Sequence, residues 1–163
     1  MTKIYLASPL FSEGELAYNH YIKEQVLAAL PEITLHLPQE VESINDKEAY
    51  ADSVMIAQAD TQAVLESQLV IAVLDGLVID PGVASEIGIA FQAGIPVIGL
   101  YTDSRQQGGT HPKKIAALQD IAESQFSYIN LYTVGLVKQN GCVVSSVQAV
   151  IDAIPNYISQ EKG

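Results

Sequence analysis

The sequence predicts an α/β protein built on an open parallel sheet, and three observations predict it. Short apolar runs rich in β-branched residues alternate with longer segments of helical periodicity. The runs at 69–74 and 95–101 carry no charge, the mark of central strands covered by helices on both faces. Breakers separate the segments: Pro31, Pro38, Asp75-Gly76 and Gly94.

The elements follow in order. Residues 3–8 (Lys-Ile-Tyr-Leu-Ala-Ser) are short, apolar and aromatic, a first strand. Across 12–30, Leu16, Tyr18, Ile22, Val26, Leu27 and Leu30 recur at helical spacing, and Pro31 ends the helix. Residues 33–37 are a second strand closed by Pro38, and 39–46 a polar loop. Residues 47–66 read as a second helix, with Val54, Ile56, Ala57 and Leu65 as its apolar positions. The third strand, 69–74, ends at Asp75-Gly76. Asp80 suits a helix N-cap, Pro81 the first helical position and Gly94 the stop. The fourth strand spans 95–101, and 102–110 is the most loop-like stretch, a candidate lid. A helix near 112–123, a short strand near 126–129 and one or two C-terminal helices complete the chain. Five strands in 163 residues fit one domain, 1–163, with right-handed crossovers and the flavodoxin-like order 2-1-3-4-5. In such sheets ligands bind beyond the carboxyl ends of the strands, where the chain reverses direction between strands one and three. That rule selects the loops at 7–13, 39–44, 75–80 and 102–110.

Composition narrows the function. Hydrophobic residues make up 48% and charged residues 17%, a globular balance. With 8 Lys+Arg against 19 Asp+Glu the net charge is −11, which disfavours nucleic acid and anionic membrane surfaces. One cysteine, Cys142, excludes an intrachain disulfide framework or a cysteine-based metal site, and three scattered histidines (His20, His36, His111) give no zinc signature. The N-terminus runs directly into a strand without a basic leader, and no apolar run reaches membrane-spanning length. The expectation is a soluble, cytoplasmic protein.

Glu86 is the most informative residue. It is the only charge between Asp80 and Asp103, inside the apolar stretch Val83-Ala84-Ser85-Glu86-Ile87-Gly88-Ile89-Ala90-Phe91. A carboxylate so placed costs several kcal/mol unless hydrogen bonds or a task compensate it. Gly-x-Gly-x-x-Gly, the P-loop and the Gly-x-Ser-x-Gly elbow are all absent. What remains is a set of acids: Glu86, Asp80, Asp75 and Asp60. Paired carboxylates around an apolar pocket suit glycosidic-bond cleavage, with magnesium binding as the rival use. Helix capping by Asp80 and a turn at Asp75-Gly76 are the common structural roles, and they can coexist with chemistry.

The stretch Asp75-Gly76 followed by Asp80-Pro81-Gly82-Val83-Ala84-Ser85-Glu86-Ile87-Gly88-Ile89-Ala90 resembles the signature of the nucleoside 2-deoxyribosyltransferases. Ile4-Tyr5-Leu6-Ala7 with Phe11 is similar to that family's first strand and loop, and Asn130-Leu131 to a later segment. The resemblance runs from the first strand to about residue 135. It implies that Glu86 is the nucleophile on C1′ of 2′-deoxyribose, oriented by Tyr5, with Asp60 and Asp80 assisting proton transfer. It implies a substrate pocket drawn from Ala7, Pro9, Phe11, Gln39, Asp75, Gly82, Ser85 and Asn130. Phe11 would pack on the base, and Asn130 would reach the sugar of a neighbouring subunit's site in a homo-oligomer, dimer or hexamer. The implied substrates are 2′-deoxynucleosides and free bases, in nucleotide salvage, with no cofactor or metal. Gln68 departs from the family, where many relatives carry an aspartate entering strand three; a structural capping position is the reading. Ser85, where other members vary, leaves base and sugar preference open.

The resemblance has rivals. A 2′-deoxynucleoside 5′-phosphate N-hydrolase would use a similar glutamate with water as acceptor, but it needs cationic or Ser-rich phosphate recognition beside strand one. Here that loop, Ser8-Pro9-Leu10-Phe11-Ser12-Glu13-Gly14-Glu15, holds two acids and no Arg or Lys. A phosphoribohydrolase would need Gly-Gly-x-Gly, which is absent. A receiver-like magnesium module would need an acid at the end of strand one, where this chain has Ala7-Ser8.

Overall fold

The structure, a computed structural model, describes residues 1–41, 50–107 and 109–158. Its elements are β1 (Thr2–Ala7), α1 (Glu13–Ala29), β2 (Ile33–His36), α2 (Ser53–Leu65), β3 (Leu69–Val73), α3 (Pro81–Gln92), β4 (Val97–Leu100), α4 (Pro112–Ala117), α5 (Leu131–Gln139), β5 (Gly141–Val144) and α6 (Val147–Ala153). The five strands form one parallel sheet in the order β2-β1-β3-β4-β5, with helices on both sides. Tyr5 pairs with His36 on one flank and Val70 on the other, which fixes the register around the switch between β1 and β3.

Alternation along each strand divides the core into two layers. Ile4, Leu6, Leu69, Ile71, Val73, Ile98 and Leu100 pack with Ile22 and Val26 of α1 and Val147 and Val150 of α6. Tyr5, Ala7, Val70, Ala72 and Leu74 face the other way, against Ala63 and Val64 of α2, Val83, Ile87 and Ala90 of α3, and Val137 of α5. Every residue of β3 is buried. Such burial contributes roughly 1.5–3 kcal/mol for each Val, Leu or Ile side chain, which is why an uninterrupted apolar run becomes the centre of the sheet.

The helix that carries Glu86 has a defined beginning and end. Asp80 caps it, accepting from Gly82 N at 2.9 Å and Val83 N at 3.2 Å, and Pro81 follows at the first position. At the other end Gly94 takes φ +72°, while Gly94 N donates to Phe91 O and Ile95 N to Ala90 O. This double return closes the helix and needs the left-handed conformation that glycine accepts most readily.

Three expectations about elements are corrected. The fifth strand is Gly141–Val144, not 126–129. Residues 126–129 stay a loop, pinned to the end of β4 by the Tyr101 hydroxyl donating to Ser127 Oγ at 2.7 Å, with Tyr128 exposed. Gly141 makes the real pairing possible: a Cβ there would lie 1.9 Å from the carbonyl oxygen of Val97, so only glycine lets the two backbones meet. The second helix starts at Ser53 with Asp52 as its cap, later than 47; residues 47–49 lie outside the described residues. The helix at 112–123 is confined to Pro112–Ala117. Residues 42–44 of the second selected loop, and Gly108 of the candidate lid, also lie outside the described residues. Among the described residues no helix is long and apolar enough to cross a membrane.

Candidate active site

Glu86 stands on the second turn of α3, on the face turned toward β1. There the hydroxyl of Tyr5, a residue wholly buried in β1, donates to Glu86 Oε1 at 2.5 Å. Burial raises the Glu86 carboxyl to about 7; the charges of Asp60 and Asp80 push in the same direction, and the Tyr5 hydrogen bond opposes them. Tyr5 itself is held far from ionisation by burial and by the Glu86 and Asp60 charges, so it remains a donor. Asp60, half-buried on α2, is also raised by burial. Three acids and one phenol thus share one electrostatic neighbourhood, built from β1, α2 and the first turns of α3.

The other candidates are placed as follows. Asp80 caps α3 and remains close enough to act on Glu86. Gly82 lies in the first turn and gives its N–H to Asp80. Ser85 turns its hydroxyl back to Pro81 O at 2.9 Å. Asp75 leaves the end of β3 and grips the next loop, accepting from Thr102 N at 2.7 Å and Thr102 Oγ1 at 2.6 Å. Beside it Gly76 adopts φ +128°, a turn in which a Cβ would press on Val78 O at 2.8 Å. Asn130 caps α5 through Thr133 N at 3.0 Å and lines a cleft of about 170 Å³ with Val78, Ile79, Ala84 and Tyr128. The structure does not bring the Asn130 side chain to Glu86 as it brings Tyr5.

Ala7, Pro9, Phe11 and Gln39 belong to the loops beyond β1 and β2. Ala7 is buried at the end of β1, and Phe11 is 80% exposed. Gln39 is engaged by the chain itself: its Oε1 accepts from Asn19 Nδ2 at 2.9 Å and its Nε2 donates to Leu16 O at 3.2 Å. The same Asn19 amide donates to Pro9 O at 2.9 Å.

Sequence reasoning missed three residues here. Asn19 is almost fully buried and ties the loop after β1 to the loop after β2. Its position inside an amphipathic helix gave no signal. Glu15 accepts from Phe11 N at 2.9 Å and Ser12 N at 2.8 Å, completing a capping box in which Ser12 Oγ accepts from Glu15 N. Ser12-x-x-Glu15 was a legible signature of that box. His36, noted in the sequence only as one of three scattered histidines, stacks on Tyr5. Gln68 accepts from Lys3 N at 2.6 Å, joining the start of β3 to β1, which agrees with a structural role. Beyond α1 a cleft of about 250 Å³ opens among Pro9, Glu15, Tyr18, Asn19, Asp75 and Gly76. Among the described residues no group of three or more His, Cys, Asp or Glu side chains is arranged to hold a metal ion.

The structure superimposes with a TM-score of 0.92 on the crystal structure of a conserved protein from Enterococcus faecalis V583, at 58% identity over 97% of this chain and 99% of that one. It is also similar to the 2-deoxyribosyltransferase of Bacillus psychrosaccharolyticus (TM-score 0.63, 22% identity, 93% of this chain and 91% of that one). A third relative in fold is the 2-desoxiribosyltransferase from Leishmania mexicana (TM-score 0.64, 18% identity, 99% of each chain). No curated protein matches the sequence significantly. The family model described as "Nucleoside 2-deoxyribosyltransferase" matches residues 4–153, and the chain belongs to that family.

Proposed function

We propose that this protein exchanges the base of a 2′-deoxynucleoside by a retaining double displacement through Glu86. The observation that carries the reading is the Tyr5–Glu86 pair: a carboxylate raised to about 7 by burial, with one oxygen held at 2.5 Å by a phenol that stays protonated. Tyr5 fixes Oε1 and leaves Oε2 to attack C1′. The C1′–N bond breaks through an oxocarbenium-like transition state, and its electron pair departs with the base. Asp60, whose carboxyl burial pushes up, gives that base its proton. A second base then attacks C1′ and surrenders its N–H proton to Asp60. The C1′–O bond breaks and returns the Glu86 carboxylate. Asp80 adds negative charge beside a cationic transition state while capping the helix.

The covalent intermediate must outlast the exchange of bases, so water has to be kept away. The loop that begins at Thr102 is the proposed cover, and its start is held by Asp75 beside the end of β4. Phe11 projects an exposed ring from a loop pinned by Glu15, a surface suited to packing on a base. Homo-oligomerisation, with Asn130 serving a neighbouring site, has its support in the apolar residues exposed around that asparagine. Leu77 (87%), Val78, Tyr128, Leu131 and Tyr132 all face outward there. A surface of that character suits an interface.

The phosphorylated alternative, hydrolysis of a 2′-deoxynucleoside 5′-phosphate, is disfavoured by Glu15. The N–H groups of Phe11 and Ser12, just before α1, are taken by the chain's own carboxylate, and that of Glu15 by Ser12 Oγ, which leaves a negative charge where a phosphate would sit. The deciding assay mixes the protein with deoxyinosine, or thymidine, and free adenine without metal. Appearance of deoxyadenosine supports transfer. Free base and deoxyribose alone, or activity only on 5′-monophosphates, overturns it in favour of the hydrolase.

A further inference from the structure

We propose that His36 is a positioning residue, whose ring holds the Tyr5 phenol in line with Glu86. The inference rests on the reading of Glu86 as nucleophile and goes beyond the residues that touch substrate. His36 and Tyr5 are direct partners across the β2–β1 pairing, and Val70 partners Tyr5 on the other side. Side chains opposite one another in a sheet share a face, so Tyr5 stands in a row between an imidazole and a β-branched residue. The imidazole and phenol rings lie 5.3 Å apart between centroids and only 16° from parallel. β2 is the edge of the sheet, so on that flank His36 is the last sheet residue that can stop Tyr5 from swinging outward.

The stack matters because the contact it protects is short-ranged. Tyr5 reaches Glu86 at 2.5 Å, and a hydrogen bond weakens steeply once its donor slides off line. A tilt of the phenol about its χ angles would break that contact while leaving the ring buried. An aliphatic side chain at position 36 would fill space without presenting a flat face. The groups around His36 leave it a neutral ring: burial and the charges of Lys3 on β1 and Lys23 on α1 lower its pKa, against the opposing pull of Glu40 after β2 and Glu66 after α2. Stacking as a neutral ring, it confines Tyr5 without adding a charge beside Glu86.

The test compares His36→Phe with His36→Ala and His36→Val, the last being well suited to an edge strand. Two readouts are taken: the carbon-13 carboxyl titration of Glu86 by NMR, and kcat with KM in base exchange. Tyr5 lowers the Glu86 midpoint, so loss of alignment must raise it. In Ala or Val the midpoint is expected to rise by about half a unit or more, and kcat at pH 7 to fall by about fivefold, with KM for the acceptor base little changed. Phe restores both to near wild type. In a Tyr5→Phe background the same changes at position 36 leave the midpoint where Tyr5→Phe put it. An unmoved midpoint in folded His36→Val, or a Phe variant that behaves like Val, overturns the proposal. The titration also separates the two readings. A wild-type protein that shows no base exchange but a midpoint sensitive to position 36 defeats the proposed activity and keeps the positioning role.

Discussion

The carboxyl edge of the sheet carries two polar clusters, and they are built on opposite physical terms. On the α1 side, Asn19, Gln39, Pro9 O, Ser12 and Glu15 satisfy one another, each donor meeting an acceptor between 2.8 and 3.3 Å. On the α2/α3 side, Glu86, Asp60 and Asp80 crowd like charges around a single phenol, and burial raises Glu86 to about 7. The first cluster holds loops in place. The second holds groups in states they would abandon in water. Uncompensated charge, more than the presence of polar residues, separates a site of chemistry from a strut.

The largest expected effect tests that contrast directly. Glu86→Gln keeps the shape and removes the charge, so base exchange should fall by at least about a thousandfold. Stability should move the other way. The folded carboxyl binds its proton up to about pH 7 while the unfolded one releases it near 4.5, so folding grows less favourable as pH rises between those values. Above pH 7 the variant should therefore be more stable than wild type, by up to about 3 kcal/mol, and the gain should vanish near pH 4.5. Denaturant melts at three pH values measure it; a Gln variant with normal turnover removes Glu86 from the chemistry.

Tyr5→Phe and Asp60→Asn come next, each expected to lower turnover by more than about tenfold. Their pH profiles should differ. In wild type kcat/KM rises with pH through about 7, because only ionised Glu86 attacks. Tyr5→Phe loses the hydrogen bond that holds the carboxyl down, so that rise should move to higher pH. Asp60→Asn loses a charge that holds it up, so the rise should move lower. Shifts in the same direction would show that the three groups do not form one electrostatic unit.

The same contrast explains what was legible from the sequence. The first four strands and the order of the sheet could be read because apolar runs and breakers report burial directly. Glu86 was legible as the one charge inside such a run, and Asp80-Pro81 announced its helix. The fifth strand was misplaced because Phe126, Tyr128 and Ile129 have strand composition, whereas the true pairing depends on Gly141, whose value lies in an absent Cβ that no propensity scale records. Asn19 and His36 were hidden for a related reason. Their importance comes from contacts with residues distant in the sequence, Asn19 with Pro9 and Gln39 and His36 with Tyr5.

Asn19→Leu probes the satisfied cluster. It strands Pro9 O and Gln39 Oε1, and should cost about 2 kcal/mol of stability while turnover at saturating substrate stays within about twofold. Thermal melts and steady-state rates on the same preparation check both halves. A collapse of turnover in the folded variant would make the α1 side part of the chemistry and erase the contrast.

The smallest effect belongs to Asn130, where the two kinds of role meet in one side chain. Its Oδ1 caps α5 through Thr133 N and Thr133 Oγ1, a contact worth about 1 kcal/mol. The proposed second role, reaching the sugar in a neighbouring subunit, needs the longer amide. Asn130→Ala should therefore lose about 1 kcal/mol of stability and also bind the deoxynucleoside more weakly. Asn130→Ser keeps a capping oxygen and should recover the stability without recovering KM. If Ser restores both, the asparagine is a cap alone, and the site is complete within one chain.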